Sequence, residues 1–236
     1  MIAWHNVDNI SRWLEKYGGY FGWGLVIVPW ILFGICYLVN PQWVLTRDAL
    51  SSFGDPSFSQ YPWVYNVGLG VISIIIFIMS LGIISTAENK ILVMGGSLWF
   101  VAGIFLALIG YFHGGTYPHD FVSTWFFIQA AFAISVIGIG SYLSLGFRYS
   151  VIPILLSLSM ELGDIFIPFP SAATTEIFEI IIIDLWALFA LIYVSRAEIR
   201  LRKSGNTGAK RSTGAKVTVT SLALAFYAIA IAIIAL

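Results

Sequence analysis

The stretch PWVYNVGLGVISIIIFIMSLGIIST at 62–86, the link AENK at 87–90, and ILVMGGSLWFVAGIFLALIGYF at 91–112 decide the fold class. Each long run is free of charge and exceeds the roughly 20 helical residues needed to span about 30 Å of hydrocarbon. The four-residue link lets the two helices pack only as antiparallel neighbours. Working outward, further apolar runs occur at Tyr20 to Asn40, Phe121 to Leu145, Val151 to Phe169, Thr174 to Arg196 and Val217 to Leu236. The expected architecture is all-α: a polytopic membrane bundle with a six-helix core over 20–200 and a seventh, peripheral helix over 217–236.

Composition agrees. With 59% apolar and 10% charged residues the chain departs far from a soluble domain, in which about a quarter is charged. The formal net charge is zero, and no concentrated basic surface of the kind that nucleic acid requires is in view, so that class is excluded. Cys36 is the one cysteine and can make no intrachain disulfide.

Charge placement sets the expected orientation. Arg12, Lys16, Lys90, Arg148, Arg196, Arg200, Arg202, Lys203, Lys210, Arg211 and Lys216 fall on one side of the apolar runs, and Arg47 alone falls on the other. The positive-inside rule then places the N-terminus in the cytoplasm of a plasma-membrane protein and Arg47 outside.

The flanking segments read differently. Met1 to Gly19 lacks the marks of a cleaved signal peptide. Trp4, Val7, Ile10, Trp13, Leu14 and Tyr17 recur there at helical spacing among polar residues, the pattern of an interfacial amphipathic helix, with a frayed tail as the alternative. The segment 201–216 repeats Thr-Gly-Ala-Lys and reads as a flexible basic cytoplasmic loop near anionic headgroups. Within the spans, Gly103 with Ala107, Ala131 with Ser135, and Gly68 with Gly70 offer small-residue packing surfaces. Pro29 suggests a kink, and Pro153 a helix start.

Against this apolar background the polar residues stand out. At about 1.5 Å per helical residue, Glu161 and Asp164 lie roughly 19 and 24 Å along the fifth helix from Arg148. Glu176, Glu179 and Asp184 lie about 3, 8 and 15 Å into the sixth, Asn66 about 6 Å into the second, and Gln129 about 13 Å into the fourth. Four helices therefore carry polar groups into one outer-half layer. A carboxylate at mid-membrane costs on the order of 3 kcal/mol even on lenient scales, so these groups should face one another, a cation, water or a polar ligand. Glu176, Glu179 and Asp184 share an arc of about 140° at about 100° per residue, and Glu161 and Asp164 are neighbours on one face. Interhelical polar glue and a functional acidic pocket are both open readings.

Between the third and fourth spans runs YFHGGTYPHD at 111–120. His113, His119 and Asp120 are candidate ligands of a divalent metal or candidates for proton transfer, although their spacing matches no metalloprotease or zinc-finger pattern. A tight loop in which His119 or Asp120 caps the fourth helix is the competing reading, and a bis-histidine haem site is disfavoured because His5 lies on the far side. Arg47 suits a phosphate or carboxylate, with Asp48, a buried acid or a lipid phosphate as its partner.

Several of these residues carry a resemblance. The segments RDALSSFGDP at 47–56 and VYNVGL at 64–69, Gly110-Tyr111-Phe112 with His119, and Glu176 with Leu185-Trp186 resemble the prokaryotic membrane family known as domain of unknown function 998. That family is similar in layout to the Frag1, DRAM and Sfk1 proteins, which are linked to lipid remodelling, lipid asymmetry and autophagy. The resemblance covers about residues 20 to 200 and implies a six-helix core with its marked residues at the outer mouth, without assigning a reaction.

Three functional expectations follow. The first is a lipid-handling protein whose acidic pocket, open to the outer leaflet, binds a lipid headgroup or cation through Arg47, Asp48, Asn66, His113, His119, Asp120, Glu161, Asp164, Glu176, Glu179 and Asp184. Its partners would be membrane lipids, with homo- or hetero-oligomers an open matter. The second is a proton-coupled transporter or channel with Glu161, Glu179 and Asp184 as relay. The third is a membrane-embedded hydrolase or transferase using His113, His119 and Asp120, which lacks a nucleophile elbow or a spaced ligand set.

Overall fold

A computed structural model describes residues 20–191. The interfacial helix expected at 1–19, the basic loop at 201–216 and the seventh helix at 217–236 lie outside the described residues.

Six α-helices follow one another: α1 Tyr20–Val39, α2 Pro62–Thr86, α3 Lys90–Tyr111, α4 Tyr117–Leu145, α5 Phe147–Phe166 and α6 Ala172–Phe189. A 3-10 helix, Leu50–Gly54, interrupts the long segment between α1 and α2. No strand occurs among the described residues. Each helix packs on the next, and α6 closes back onto α1, so the chain makes an up-and-down ring of helices. One end, here the mouth, carries the segment 40–61 and the loops 112–116 and 167–171. The far end carries 87–89 and Gly146.

Local chemistry explains the ends. Asn89 caps α3 by accepting from the Leu92 N–H at 2.9 Å, and its amide donates to Gly140 O and Ser144 Oγ, pinning α3 to α4 at the far end. Gly146, at φ +94°, is the single residue between α4 and α5, a conformation that favours glycine. Pro153 therefore does not start α5, which already begins at Phe147; it sits inside the helix, where Tyr149 O loses the N–H it would otherwise receive. Likewise α4 begins at Tyr117, four residues earlier than Phe121, because Pro118 fits a first helical turn whose N–H groups lack intrahelical partners anyway. At the mouth, Ile167 is extended before Pro168, which ends α5. Ser171 caps α6 by accepting from the Thr174 N–H.

Small residues set how closely the helices approach. A Cβ on Gly95 would lie 2.9 Å from Ile137 N, and one on Gly140 2.8 Å from Leu92 N, so α3 and α4 touch backbone to backbone. Gly68 fits against Leu32 of α1 and Gly103 against Phe77 of α2, whereas a Cβ on Gly70 would meet nothing within 4 Å. Ser135 and Ser157 join α4 to α5 at 2.6 Å. In the centre Trp99 of α3 meets Trp186 of α6 with ring centroids 4.5 Å apart, both fully buried.

Five of these helices, α1 through α5, are long and apolar enough to cross a membrane. Helix α6 has 18 residues but carries Glu176, Glu179 and Asp184. Large apolar side chains such as Ile31, Leu38, Ile74 and Leu155 cover the outside of the bundle, where a soluble protein would place charge.

Candidate functional site

The mouth is assembled by the first loop. Trp43 donates from Nε1 to Ala49 O at 2.9 Å and packs on Phe53, which in turn lies against Tyr65 of α2. This buries Leu50 and Phe53 and lays the 3-10 helix over the bundle. Glu176 fixes it there, its Oε2 accepting from the Leu50 N–H at 2.8 Å. Ala173 N donates to Asp48 O at 3.1 Å, and Ser171 Oγ donates to Leu45 O at 2.6 Å, so the start of α6 is sewn to the same loop. The loop 112–116 completes the roof, because Gly114 is so close to Ser51 that a Cβ would lie 2.7 Å from its carbonyl oxygen.

Beneath the roof is a cavity of about 60 Å³ between α1, α2, α3, α4 and α6. Its walls are mostly hydrocarbon, including Leu25, Leu69, Ile72, Ile76 and Ile183, with Ser51, Tyr65, His119, Ser123, Glu176 and Asp184 as the residues that carry polar side-chain atoms. His119 is buried, and its Nδ1 lies 2.7 Å from Phe112 O. The carbonyl can only accept, so Nδ1 carries the hydrogen. Asp184, also buried, accepts from Trp30 Nε1 at 2.7 Å through Oδ2, while its Oδ1 finds no hydrogen-bond partner among the described residues.

A second, open groove of about 300 Å³ lies where α4, α5 and α6 meet near the mouth. Glu161, Asp164 and Glu179 converge there beside Thr124 and Thr175. The Asp164 and Glu179 carboxyls are in hydrogen-bonding contact, and Glu161 is close enough to act on both electrostatically. No Lys, Arg or His lines this groove among the described residues. Ser123, Phe127 and Glu176 line both the groove and the cavity, forming the partition between them.

The polar residues singled out in the sequence thus separate into groups. Arg47 is exposed and grips Asp48 through Nε and Nη2, both at 2.8 Å, with Nη2 also donating to Gln42 O. It meets no buried acid. The Arg47 fork, with the Val44 N–H, holds the Asp48 carboxyl below the usual carboxylate range. Asn66 donates to Gly54 O and Gln129 to Leu98 O, each joining two elements of the scaffold. His113 turns its Nδ1 to Gly114 O, and Asp120 is exposed on the surface beside Tyr117 and Phe121. His113, His119 and Asp120 do not converge, and no group of three His, Cys, Asp or Glu arranged to hold a metal occurs among the described residues. Trp30 and Ser123 were missed in the sequence; nothing in an isolated helix marks an indole that reaches a carboxylate 154 residues away.

The fold and its charge distribution define a multi-pass helical membrane protein. The sequence profile of the family described as protein of unknown function, DUF998, matches residues 25–193, and the chain belongs to that family. Neither a curated protein nor a solved structure matches the chain.

Proposed function

We propose that this protein binds the positively charged headgroup of a membrane lipid in the Glu161, Asp164 and Glu179 groove and serves in lipid handling. One observation carries the reading: three carboxyl groups meet in an open groove that no basic side chain lines among the described residues. Such groups in contact hold a proton or a cation between them, and in a membrane setting a partner charge is worth far more than in water. A protonated headgroup amine supplies that charge together with several donors, each charge-assisted hydrogen bond being worth about 1.5–3 kcal/mol. Exposed Leu162, Ile165 and Phe166 on α5, the helix that carries Glu161 and Asp164, offer an apolar flank for the acyl chains.

In this reading α6 is a sixth span, the mouth faces the outside of the plasma membrane, and the N-terminus is cytoplasmic, as the distribution of Lys and Arg requires. A Ser57→Cys variant in the exposed first loop should be labelled from outside intact cells by an impermeant maleimide; labelling only after lysis would reverse the orientation.

The headgroup test uses the full chain in lipid nanodiscs. Native mass spectrometry should show phosphatidylethanolamine retained over phosphatidylglycerol, and the combined substitutions E161Q, D164N and E179Q should cut that preference at least fivefold. Equal retention of the two lipids would sink the proposal; loss of the preference on adding a divalent cation alone would favour an inorganic cation as the natural occupant.

The transporter reading has less support. Below Asp184 the fully buried rings of Trp99 and Trp186 pack with centroids 4.5 Å apart, which weighs against a wet path from the acids to the far end. The enzyme reading has less still, since His113, His119 and Asp120 point to separate surroundings.

A further inference from the structure

Four carboxyl groups line the acidic groove, and three of them are already engaged. Glu176 accepts from the Leu50 N–H, while Asp164 and Glu179 are in contact with each other, an arrangement in which two acids share a proton. Glu161 is the fourth. It is more than nine-tenths buried, yet it makes no hydrogen bond among the described residues. Its oxygens are not sealed into the protein as Asp184 Oδ1 is, and they keep surface on the groove. A buried carboxylate without a donor is costly, so the free side of Glu161 marks where the donors of an occupant belong.

We propose that the groove selects a primary ammonium over a quaternary one and that Glu161 is the residue that reads its N–H groups, which rests on the headgroup reading above and narrows the lipid to the ethanolamine class. The acceptors present decide between the two cations. A primary ammonium carries three N–H donors, and each bond it makes to a carboxylate is charge-assisted. A trimethylammonium carries none and is recognised instead by aromatic faces. Phe127 is the one aromatic side chain lining the groove among the described residues, whereas Thr124 and Thr175 add hydroxyl oxygens beside the acids. The Thr124 hydroxyl, like Glu161, makes no hydrogen bond among the described residues and is a further free acceptor. A site that hydrogen-bonds an N–H rejects the analogue lacking it, because the buried acceptor is then left unpaired. Glu161 is such an acceptor.

A methylation series at constant charge tests this. The full chain in nanodiscs is offered phosphatidylethanolamine, its N-methyl and N,N-dimethyl forms, phosphatidylcholine and phosphatidylglycerol, and retention is read by native mass spectrometry. Retention should fall with each added methyl, by at least tenfold between the ethanolamine and choline lipids. E161Q should bring those two within twofold of each other while both stay above phosphatidylglycerol, because the Asp164–Glu179 pair keeps its shared charge; an unchanged ratio in E161Q would take the selectivity away from Glu161 and overturn the assignment. The series on the unaltered chain needs no variant to fold. Ethanolamine and choline lipids retained equally there, with both above phosphatidylglycerol, would overturn the selectivity and leave the headgroup reading standing. Excess free ethanolamine should leave the bound lipid in place; displacement by ethanolamine but not by choline would keep the ammonium selectivity, assign it to a soluble amine, and overturn the headgroup reading alone.

Discussion

The Leu50 backbone N–H and the Glu176 carboxylate are 2.8 Å apart and 126 residues apart in the chain, and this bond fastens the first loop to the start of α6. Glu176 also lines both the cavity beneath the roof and the acidic groove, so the residue that holds the roof is part of the wall between the two spaces.

Removing that anchor should loosen the roof. Glu176→Ala leaves the Leu50 N–H without its acceptor and should destabilise the protein by about 1.5–3 kcal/mol, the value of a hydrogen bond to a charged group. Glu176→Gln keeps an acceptor oxygen and should recover about half of the loss. Thermal unfolding in detergent measures both, and equal midpoints for wild type and Glu176→Ala would show the bond to be unimportant.

The seam that closes the ring is open to a double-mutant test. Trp30→Phe removes the donor to Asp184 Oδ2 and should cost about 1–3 kcal/mol, because the carboxylate then has neither oxygen satisfied. Combined with Asp184→Leu the loss should be clearly smaller than the sum of the single losses, giving a coupling of about 1 kcal/mol or more. Simple additivity would mean that the indole and the carboxylate act independently.

Glycines in the bundle should sort by what surrounds them. Gly95→Ala and Gly140→Ala place a Cβ within 3 Å of a backbone nitrogen across the α3–α4 contact, and each should cost about 1–3 kcal/mol. Gly70→Ala meets nothing within 4 Å and should be neutral or stabilising by up to about 1 kcal/mol, since alanine gives up less chain entropy in a helix. A Gly70→Ala variant as damaged as Gly95→Ala would refute the packing described.

Acid should act on the first loop in a defined window. Asp48 titrates below its ordinary range in the folded protein because Arg47 and the Val44 N–H favour its charged form. Its contribution is therefore complete above the unfolded value of about 3.9 and is lost as pH falls through the lower folded value. The thermal midpoints of wild type and Asp48→Asn should differ at pH 5 to 8 by a constant amount and converge below about pH 4. A gap that widened in acid would contradict the sign.

Much of the scaffold was legible in the sequence, and the candidate site was legible only in part. The runs 62–86 and 91–112 gave α2 and α3 to within a residue, since an uninterrupted apolar stretch bounded by Pro62 and Lys90 leaves little choice. The shared face of Glu161 with Asp164, and the inward turn of Glu179, followed from helical spacing and the cost of placing acids against hydrocarbon. Helical spacing alone did not show that the amides of Asn66 and Gln129 bond to carbonyls of neighbouring elements. It failed for Pro153 because a helix can begin at an unmarked residue when a glycine such as Gly146 precedes it. The loop histidines appear adjacent along the chain, yet their rings turn to different carbonyls.

By itself the sequence determined that this chain is a bundle of membrane-spanning helices with its acids gathered toward one end, because hydrophobic length and charge position act locally and add along the chain. The tertiary structure alone decided that those acids divide between a groove and a separate cavity, and that Arg47 takes no part in either. That division depends on which helices become neighbours and how far each is rotated, and contacts such as Leu50 to Glu176 and Trp30 to Asp184 fix both across more than a hundred residues.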